Sequence, residues 1–244
     1  MKVKEKTCLY IISVLIVVSA CQYERKKTEP ELSNEISLSV SFSDELLKEA
    51  QNGDAIAQYK MGLYCESKGE LSYQSAAKWY RAAAVQGHKV AAYKLGVCYF
   101  YGRGVTQNYN EAFKFYQYAA NEGCAEAQND LGVCYEKGYG VSESAEIAFK
   151  WYSRAAEQGY PISQYLVGCY YERGCVVSQD YKKAIEWYKK AAKYNVADAE
   201  YNLAICYAKG RGVNVDMNKA IEWCKKAASH GSSEAIEILQ KMEN

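Results

Sequence analysis

One phrase recurs three times in this chain and limits its possible folds more than any other feature. It reads LGVCYFYGRGV from residue 95, LGVCYEKGYGV from residue 131 and LAICYAKGRGV from residue 203. Two ladders with a spacing close to 36 run through the same region. The first is Gly62, Gly96, Gly132, Gly168 and Ala204, and the second, which holds every tryptophan, is Trp79, Phe115, Trp151, Trp187 and Trp223. A fixed period between about 20 and 50 residues is typical of a stacked array of repeats.

Each repeat is predicted to contain two helices, which we call helix A and helix B. In repeat 2, helix A covers about residues 89–101, where Ala91, Leu95 and Tyr99 recur on one face at helical spacing. A glycine pair then forms a tight loop, because glycine adopts positive φ without strain. Helix B follows at residues 110–123.

Turn residues just after each helix B support this interpretation. They are glycine at four positions and asparagine at one, and these two residue types best adopt the left-handed conformation that ends a helix. Pro161 is expected at the start of a helix A, where its missing N–H costs nothing. The turn residues are Gly87, Gly123, Gly159, Asn195 and Gly231.

The repeat resembles the Sel1-like repeat family, a relative of the tetratricopeptide repeat. The pattern is a small residue followed by LGxxY, GxGV, KAxxWYxKAA and QG over 36 residues, and its best copies lie at 125–159 and 197–231. The resemblance implies an all-α, right-handed solenoid of helix-turn-helix units. Such a solenoid buries its core by stacking each repeat on the next.

We expect five repeats framed by two capping helices. Ser43 is the expected N-cap of the first capping helix, with Phe42 and Leu47 at hydrophobic staple positions. Repeat 1 lacks the second loop glycine and two residues, and repeat 4 has Val176 instead of that glycine. The predicted bounds are 43–52 for the first cap, 53–86, 87–122, 123–158, 159–194 and 195–231 for the repeats, and 232–244 for the last cap.

Residues 1–20 resemble the signal peptide of a bacterial lipoprotein. Lys2, Lys4 and Lys6 precede an apolar run at 9–18 that is too short to span a bilayer comfortably. The sequence VSAC is similar to a lipobox, in which cleavage leaves an N-terminal cysteine that carries lipid. Cys21 is therefore the predicted lipidation site and membrane anchor. An ordinary signal peptide and a retained anchor helix are the alternatives.

This resemblance implies the cell envelope, with the domain in the periplasm or at the cell surface. Gln22 follows the lipidated cysteine, and in Gram-negative lipoproteins a residue other than Asp there permits transport to the outer membrane. The basic run Arg25–Lys27 either contacts anionic headgroups or is a solvated part of the linker. Segment 21–42 as a whole is interpreted as a flexible tether or as an extended arm, because ISLSVSF alternates apolar residues with serine.

Composition and motifs exclude several classes of function. With 30 basic and 29 acidic residues the net charge is +1, which argues against a nucleic-acid-binding protein. His88 and His230 lie in predicted turns without a Cys or Ser partner at a recurring spacing, so no catalytic residue is predicted. The GxG loops follow no strand and are not phosphate loops. No CxxC motif occurs, so no metal is expected, and no cofactor is predicted.

Eight cysteines follow Cys21, and an even number in an exported protein favours a search for disulfides. Cys98, Cys134 and Cys206 share one repeat position on the predicted core face. Equivalent residues of neighbouring helices are too far apart to be bridged, so we predict buried thiols that pack as small hydrophobic side chains. A disulfide involving Cys124 or Cys175 is the alternative.

The side of helix A that faces away from the core is the predicted partner-binding surface, by resemblance to the concave face of tetratricopeptide units. Tyr93, Val97 and Phe100 lie on this side of a helical wheel, opposite Ala91 and Leu95. The predicted partner-binding residues are Tyr59, Lys60, Tyr93, Lys94, Val97, Phe100, Asn129, Asp130, Glu136, Tyr165, Glu172, Arg173, Tyr201 and Asn202.

Two interpretations of this surface stay open at this point. Its aromatic, apolar and mixed-charge character suits a protein or peptide, because tyrosine offers a large rigid ring together with a hydroxyl group. Alternatively, the tyrosines pack laterally between neighbouring A helices, and partners bind at edges or loops.

The family resemblance implies a membrane-anchored, non-enzymatic scaffold that binds a protein or peptide. The alternative is a hydrolase directed at an envelope polymer, such as peptidoglycan, or at a β-lactam, because some cysteine-rich relatives have been linked to β-lactam binding. An enzyme needs a nucleophile and a base that converge, and the sequence shows no such pair.

Overall fold

The computed structural model of the protein describes residues 43–243, and this part of the chain contains twelve α-helices and no strand. A short 3-10 helix, Glu70–Ser72, lies between the second and third helices. The predicted all-α solenoid is confirmed. The helices are α1 Asp44–Gln51, α2 Ala55–Ser67, α3 Tyr73–Ala84, α4 Lys89–Tyr101, α5 Tyr109–Asn121, α6 Ala125–Lys137, α7 Ala145–Glu157, α8 Pro161–Arg173, α9 Tyr181–Ala192, α10 Ala197–Lys209, α11 Met217–Ser229 and α12 Ser233–Glu243.

The helices form five A–B pairs that stack one on the next. Helices A are α2, α4, α6, α8 and α10, and helices B are α3, α5, α7, α9 and α11. Each helix packs mainly against the helices immediately before and after it in the sequence. Stability in such an array comes from each repeat and its contacts with its neighbours.

A glycine of helix A and a tyrosine of helix B meet at the centre of the first four repeats. In repeat 3, a Cβ atom added at Gly132 would lie 2.6 Å from the ring of Tyr152, which is fully buried. The ladder glycine is therefore needed so that the ring can approach the helix backbone. Repeat 5 has Ala204 at the glycine position and Cys224 at the tyrosine position, and both belong to one core cluster. The four buried tyrosines are Tyr80, Tyr116, Tyr152 and Tyr188.

Left-handed residues separate each helix B from the next helix A, as predicted. Asn195 is the only residue of 43–243 other than glycine with positive φ, and Pro161 is the first residue of α8, also as predicted. The φ angles are 90° at Gly87, 82° at Gly123, 93° at Gly159, 59° at Asn195 and 96° at Gly231.

The loop inside the repeat differs in repeats 1 and 4. Repeat 1 closes its shorter loop with the 3-10 helix. In repeat 3 the second loop glycine, Gly140, packs directly on the backbone of Tyr109 at the start of the preceding helix B. Val176 replaces this glycine in repeat 4, where Ala145 replaces the tyrosine, and both lie in one core cluster. The substitution is therefore matched by a smaller neighbour.

The two ends of the described region are covered by single helices. Ser43 is the N-cap of α1, as predicted, and its Oγ accepts a hydrogen bond from the Leu46 N–H at 3.0 Å. Helix α12 takes the place of a sixth helix A and contributes Ala235 and Leu239 to the core cluster of repeat 5. The predicted signal peptide, the lipidation site Cys21, Phe42 and the linker lie outside the described residues.

Candidate partner-binding surface

The tyrosines of the predicted surface pack between helices. Tyr59 is 9% exposed, and its ring stacks on that of His88 with centroids 4.6 Å apart. The rings of Tyr93 and Tyr116 lie 5.8 Å apart. Burial raises the pKa of Tyr59 to about 12 and that of Tyr93 well above its usual value. Tyr59 therefore packs against the next helix A, as the second interpretation expects, whereas the ring of Tyr93 packs against helix B of its own repeat. Tyr165 and Tyr201 hold the equivalent positions in repeats 4 and 5.

Asn129 occupies the same position in repeat 3 and is also buried, at 6% exposure. Its Oδ1 accepts a hydrogen bond from the Ser163 hydroxyl at 2.9 Å, and its Nδ2 donates to Asp130 at 3.0 Å. Ser163 lies on α8 and is fully buried. Asn129 therefore connects repeats 3 and 4, and a role in contacting a partner stays a prediction for its half-buried neighbour Asp130.

Glutamates at one position of helix A, two of which were predicted to bind a partner, form hydrogen bonds with the buried tyrosines of helix B. In three repeats the tyrosine hydroxyl donates to a glutamate oxygen on helix A of the same repeat. These charge-assisted bonds satisfy a hydroxyl that is otherwise sealed in the core. The pairs are Tyr80–Glu66 at 2.6 Å, Tyr152–Glu136 at 3.0 Å and Tyr188–Glu172 at 2.6 Å.

Each of these glutamates also contacts the next repeat. The groups that contact them differ in type, which explains why no spacing rule in the sequence revealed the contact. The contacts are Lys94 Nζ to Glu66 at 3.1 Å, the Tyr170 hydroxyl to Glu136 at 3.3 Å and Arg211 Nη1 to Glu172 at 3.0 Å. Lys94, Glu136 and Glu172 thus have a structural role within the stack, which leaves only their exposed atoms for a partner.

Repeat 2 departs from this pattern, because Phe100 takes the glutamate position. Its ring centroid lies 5.0 Å from that of Tyr101, 5.1 Å from that of Tyr109 and 5.2 Å from that of Tyr139. Tyr109 and Tyr139 stack on each other at 4.8 Å. We call these four residues the aromatic cluster. The ring of Tyr101 is 40% exposed, and the Arg103 guanidinium lies 4.9 Å from its centroid, within cation–π range.

The sequence pointed to Phe100 alone within this cluster. The other three rings were missed because they lie at a helix end, a helix start and a loop, outside the helix-A face. A signal was nevertheless present, since phenylalanine replaces the glutamate found at this position in three other repeats.

The remaining predicted residues are spread along the stack. Val97 is half-buried on α4, the helix that carries Phe100. Lys60 is exposed on α2 and Arg173 is exposed on α8, so these two lie in different repeats. Asn202 Nδ2 lies 4.0 Å from the Cys169 sulfur. The structure thus groups the α4 residues and leaves the others apart.

Six of the eight cysteines that follow Cys21 are buried thiols, as the sequence predicted. All eight in the described range are free thiols, six of them buried, while Cys65 is half-buried and Cys175 is exposed. Burial raises the pKa of Cys98 and Cys206 to about 12 and that of Cys169 to about 11. These thiols stay protonated near neutral pH and are poor nucleophiles.

The histidines of the described region are engaged in structural contacts. His88 Nδ1 accepts a hydrogen bond from the Ala91 N–H at 3.1 Å and so caps α4. His230 Nδ1 lies 2.7 Å from an oxygen of the buried Glu200. Within residues 43–243 no group of three or more His, Cys, Asp or Glu side chains is placed to hold a metal ion. None of the twelve helices in residues 43–243 combines the length and the apolar character that spanning a bilayer requires.

Comparison with known proteins agrees with the repeat architecture. The family described as Sel1 repeat matches residues 55–88, 89–124, 125–160, 161–193 and 197–232. The chain belongs to the Sel1 repeat family. Proteins of this family are generally scaffolds for protein–protein interactions and are typically non-enzymatic. A search of curated proteins found no match to this chain.

Solved structures of Sel1 repeat proteins resemble this chain closely. A protective antigen of uropathogenic Escherichia coli strains is 35% identical, with a TM-score of 0.76 over 80% of this chain. A Sel1 repeat protein from Oxalobacter formigenes is 35% identical, with a TM-score of 0.73 over 81%. The chain spans 42% and 58% of the length of these two Sel1 proteins. A third, from Klebsiella pneumoniae, is 22% identical over 82% of this chain and 99% of its own, with a TM-score of 0.52, and supports the fold alone.

Proposed function

We propose that this Sel1 protein is a membrane-anchored, non-enzymatic scaffold that binds a protein or peptide at its helix-A face. Family membership supports the scaffold role. The chemistry of the described residues supports it too, because the buried thiols are protonated and both histidines are engaged elsewhere. The lipobox-like sequence before Cys21 supports the anchor.

The aromatic cluster of repeat 2 is the observation that carries the proposal. In three other repeats the position of Phe100 holds a glutamate that binds a core tyrosine and the next repeat. Phe100 cannot form these polar contacts. Its ring instead packs against three tyrosine rings at the surface. A stable stack does not require phenylalanine at this position, since three of the other repeats have glutamate there.

The cluster has the composition of a binding hot spot. Tyrosine and arginine are enriched among residues that dominate interface energies, because they combine large rigid contact area with polar groups. Tyr101 and Arg103 are both exposed and lie in contact with each other. We therefore expect a partner segment that places an apolar or aromatic side chain against these rings.

Two substitutions test the cluster. Phe100→Glu introduces the residue found at this position in three other repeats, while Tyr101→Ala removes the exposed ring. Tyr118→Ala is the matched control, because Tyr118 is also 40% exposed but lies on α5, a helix B. All variants are compared by crosslinked capture from native membranes after circular dichroism has shown equal helicity.

We expect the wild type and Tyr118→Ala to capture the same partner, and both cluster variants to lose at least about nine-tenths of it. Retention of the partner by both cluster variants would contradict the assignment of the site. Capture of no protein by the wild type would instead favour the polymer-directed alternative.

The anchor is tested separately. Cells are labelled with a fatty-acid analogue, and the chain is compared with Cys21→Ser. We expect label on the wild type only and release of the variant from the membrane fraction, because a lipid-modified cysteine anchors the chain. Label on the variant would contradict lipidation at Cys21. We further propose the outer membrane where the envelope has two membranes, on the basis of Gln22.

A further inference from the structure

The last two B helices carry an unusual concentration of positive charge. Helices α9 and α11, with the residues that cap them, carry eight exposed lysines and four acidic residues, of which two are exposed glutamates and two are the half-buried caps Asp180 and Asp216. The two aspartates form ion pairs with Lys183 and Lys219. We call this exposed surface the basic face. It belongs to helices B and therefore to the layer opposite the helix-A face. Among its lysines are Lys182, Lys189, Lys190, Lys193, Lys225 and Lys226.

A cleft of about 600 Å³ lies between the two helices within the basic face. Lys189 and Lys193 border it on the α9 side, and Lys226 and Trp223 border it on the α11 side. Several cationic groups thus converge on one aromatic-lined depression.

A buried carboxylate lies at the base of this cleft and offsets part of the positive charge of its lysines. Glu200 is 1% exposed, and one of its oxygens lies 2.7 Å from Nδ1 of His230, which also lines the cleft. The three lysines at the rim outnumber this single carboxylate. Repeats 1 and 3 have hydrogen-bonded glutamine pairs at these positions, namely Gln58–Gln86 and Gln128–Gln158.

The lysines are only partly neutralised by the protein itself. Lys226 forms an ion pair with Glu222 at 3.1 Å and lies 4.4 Å from the Trp223 ring centroid. Lys189 and Lys193 form no ion pair within residues 43–243. Their charges remain available to an external anion.

The fold does not require these lysines. The positions equivalent to Lys193 in repeats 1 to 3 are Val85, Asn121 and Glu157, so residues of three different classes are compatible with the same helix end. Helix α7, two repeats before α11, mixes acidic and basic residues on the same face. Positive charge is therefore a property of the last two repeats and not of the stack.

We propose that the basic face binds the headgroups of anionic phospholipids at a bilayer surface, with a lipid phosphate in the cleft. Lysine is a compact point charge that attracts anionic surfaces without a demand for bidentate geometry. The charge extends over two helices and well beyond the cleft, which suits an array of headgroups better than a single free anion. Trp187 and Trp223 lie under Lys190 and Lys226, and tryptophan favours the membrane interface.

This inference goes beyond the proposed scaffold and does not depend on the anchor. Binding through helices B leaves the helix-A face directed away from the bilayer and open to a partner. The segment between Cys21 and α1 has 22 residues, and an extended chain of that length reaches up to about 70 Å. An anchored chain is therefore long enough to let the basic face reach the same membrane.

The test measures binding to vesicles by co-flotation. The protein used begins at residue 21 and carries Cys21→Ser. Neither the apolar leader nor an acyl chain can then contribute to vesicle binding, and all the described helices are retained. Vesicles contain either phosphatidylcholine alone or phosphatidylcholine with phosphatidylglycerol. The variant is Lys189→Gln/Lys193→Gln/Lys226→Gln. The matched control is Lys78→Gln/Lys114→Gln/Lys150→Gln, which removes three exposed charges from helices B of repeats 1 to 3.

We expect binding to the anionic vesicles only, and loss of binding at about 0.5 M salt because the charges are then screened. The cleft variant should bind about a hundredfold more weakly, whereas the control should bind within about threefold of the unsubstituted chain. No binding to anionic vesicles, equal binding to neutral ones, or equal loss in variant and control would overturn the proposal.

Competitors distinguish other anions at constant ionic strength. Glycerol phosphate should leave vesicle binding unchanged, and its displacement of the chain would show that the cleft takes a free phosphate instead. Polyglutamate that binds more tightly than the anionic vesicles would show that the face serves an acidic polypeptide, which overturns the lipid assignment. A second variant, Lys182→Gln/Lys190→Gln/Lys225→Gln, lies outside the cleft and should also weaken vesicle binding at least about tenfold.

Discussion

At the scale of single residues, the contact between a helix-A glycine and a helix-B tyrosine sets how closely the two helices approach. We predict that Gly132→Ala destabilises the protein although alanine is the better helix former by about 1 kcal/mol. The new Cβ would lie 2.6 Å from the ring of Tyr152, which is fully buried and held by the hydrogen bond from its hydroxyl to Glu136. Overpacking of this kind costs about 1–3 kcal/mol. The free energy of unfolding in urea measures the effect.

The chain contains its own control for this prediction. Repeat 5 combines Ala204 with Cys224, which together resemble the double variant Gly132→Ala/Tyr152→Cys. In the Tyr152→Cys background, Gly132→Ala should be neutral or stabilising by up to about 1 kcal/mol, because the ring is gone and only the helix propensity remains. An equal cost in both backgrounds would show that the ring contact does not limit this position.

At the scale of helices, the start of α4 depends on the protonation state of one histidine. His88 Nδ1 accepts the Ala91 N–H, which requires a neutral imidazole, and burial lowers the pKa of His88 below its usual 6.5. The folded chain therefore binds a proton less readily than the unfolded chain. Its contribution to stability is complete above about pH 6.5 and is lost as pH falls through the folded pKa.

His88→Asn separates this effect from all other titrations. Asparagine caps a helix well but does not titrate, so the free energy of unfolding of the variant should fall less between pH 7.5 and 5 than that of the wild type. Tyr59 stacks on His88, but its pKa of about 12 keeps it neutral over this range. Parallel pH profiles of the two proteins would contradict the assigned role of His88.

Features that recur with the period could be predicted from the sequence, for a physical reason. Asn195 occupies a turn position where the other repeats have glycine and where positive φ selects the residue type, so the repetition within one chain reveals the rule. The core face of helix A, with Leu95 and Cys98, follows from helical geometry within one element.

Contacts between repeats were less predictable. A helical wheel gives the direction of the Tyr93 side chain but not how near other helices approach, and that distance decides whether the ring is exposed or packs against another helix, as it does against Tyr116. The contacts of Glu136 and Glu172 with the next repeat use a tyrosine in one case and an arginine in the other. The cleft beside Lys193 forms between helix ends 30 or more residues apart, so no local pattern encodes it.

At the scale of the whole molecule, the two layers of helices differ in the surfaces they offer. The aromatic cluster lies in repeat 2, where the end of a helix A meets the loops and the start of a helix B, whereas the basic face lies on helices B of the last two repeats. The two departures from the repeat pattern are thus separated along the stack. A scaffold arranged in this way can contact two different partners without competition between them.

The stack should also lose stability locally when one end is uncovered. A chain that ends at Ser232 lacks α12, which exposes the core cluster of Ala204, Cys224 and Ala227 to water. Because each repeat contacts only its neighbours, amide hydrogen exchange should become at least about tenfold faster in α10 and α11 and stay unchanged in α2 and α4. Mass spectrometry of peptides after exchange measures both regions in one experiment.

Leu47→Ala in α1 loosens the opposite end, where Leu47 packs on the cluster of Ala57 and Met61. This variant should give faster exchange in α2 and unchanged exchange in α10 and α11. Faster exchange along the whole stack after removal of α12 would show instead that the five repeats unfold as one cooperative unit.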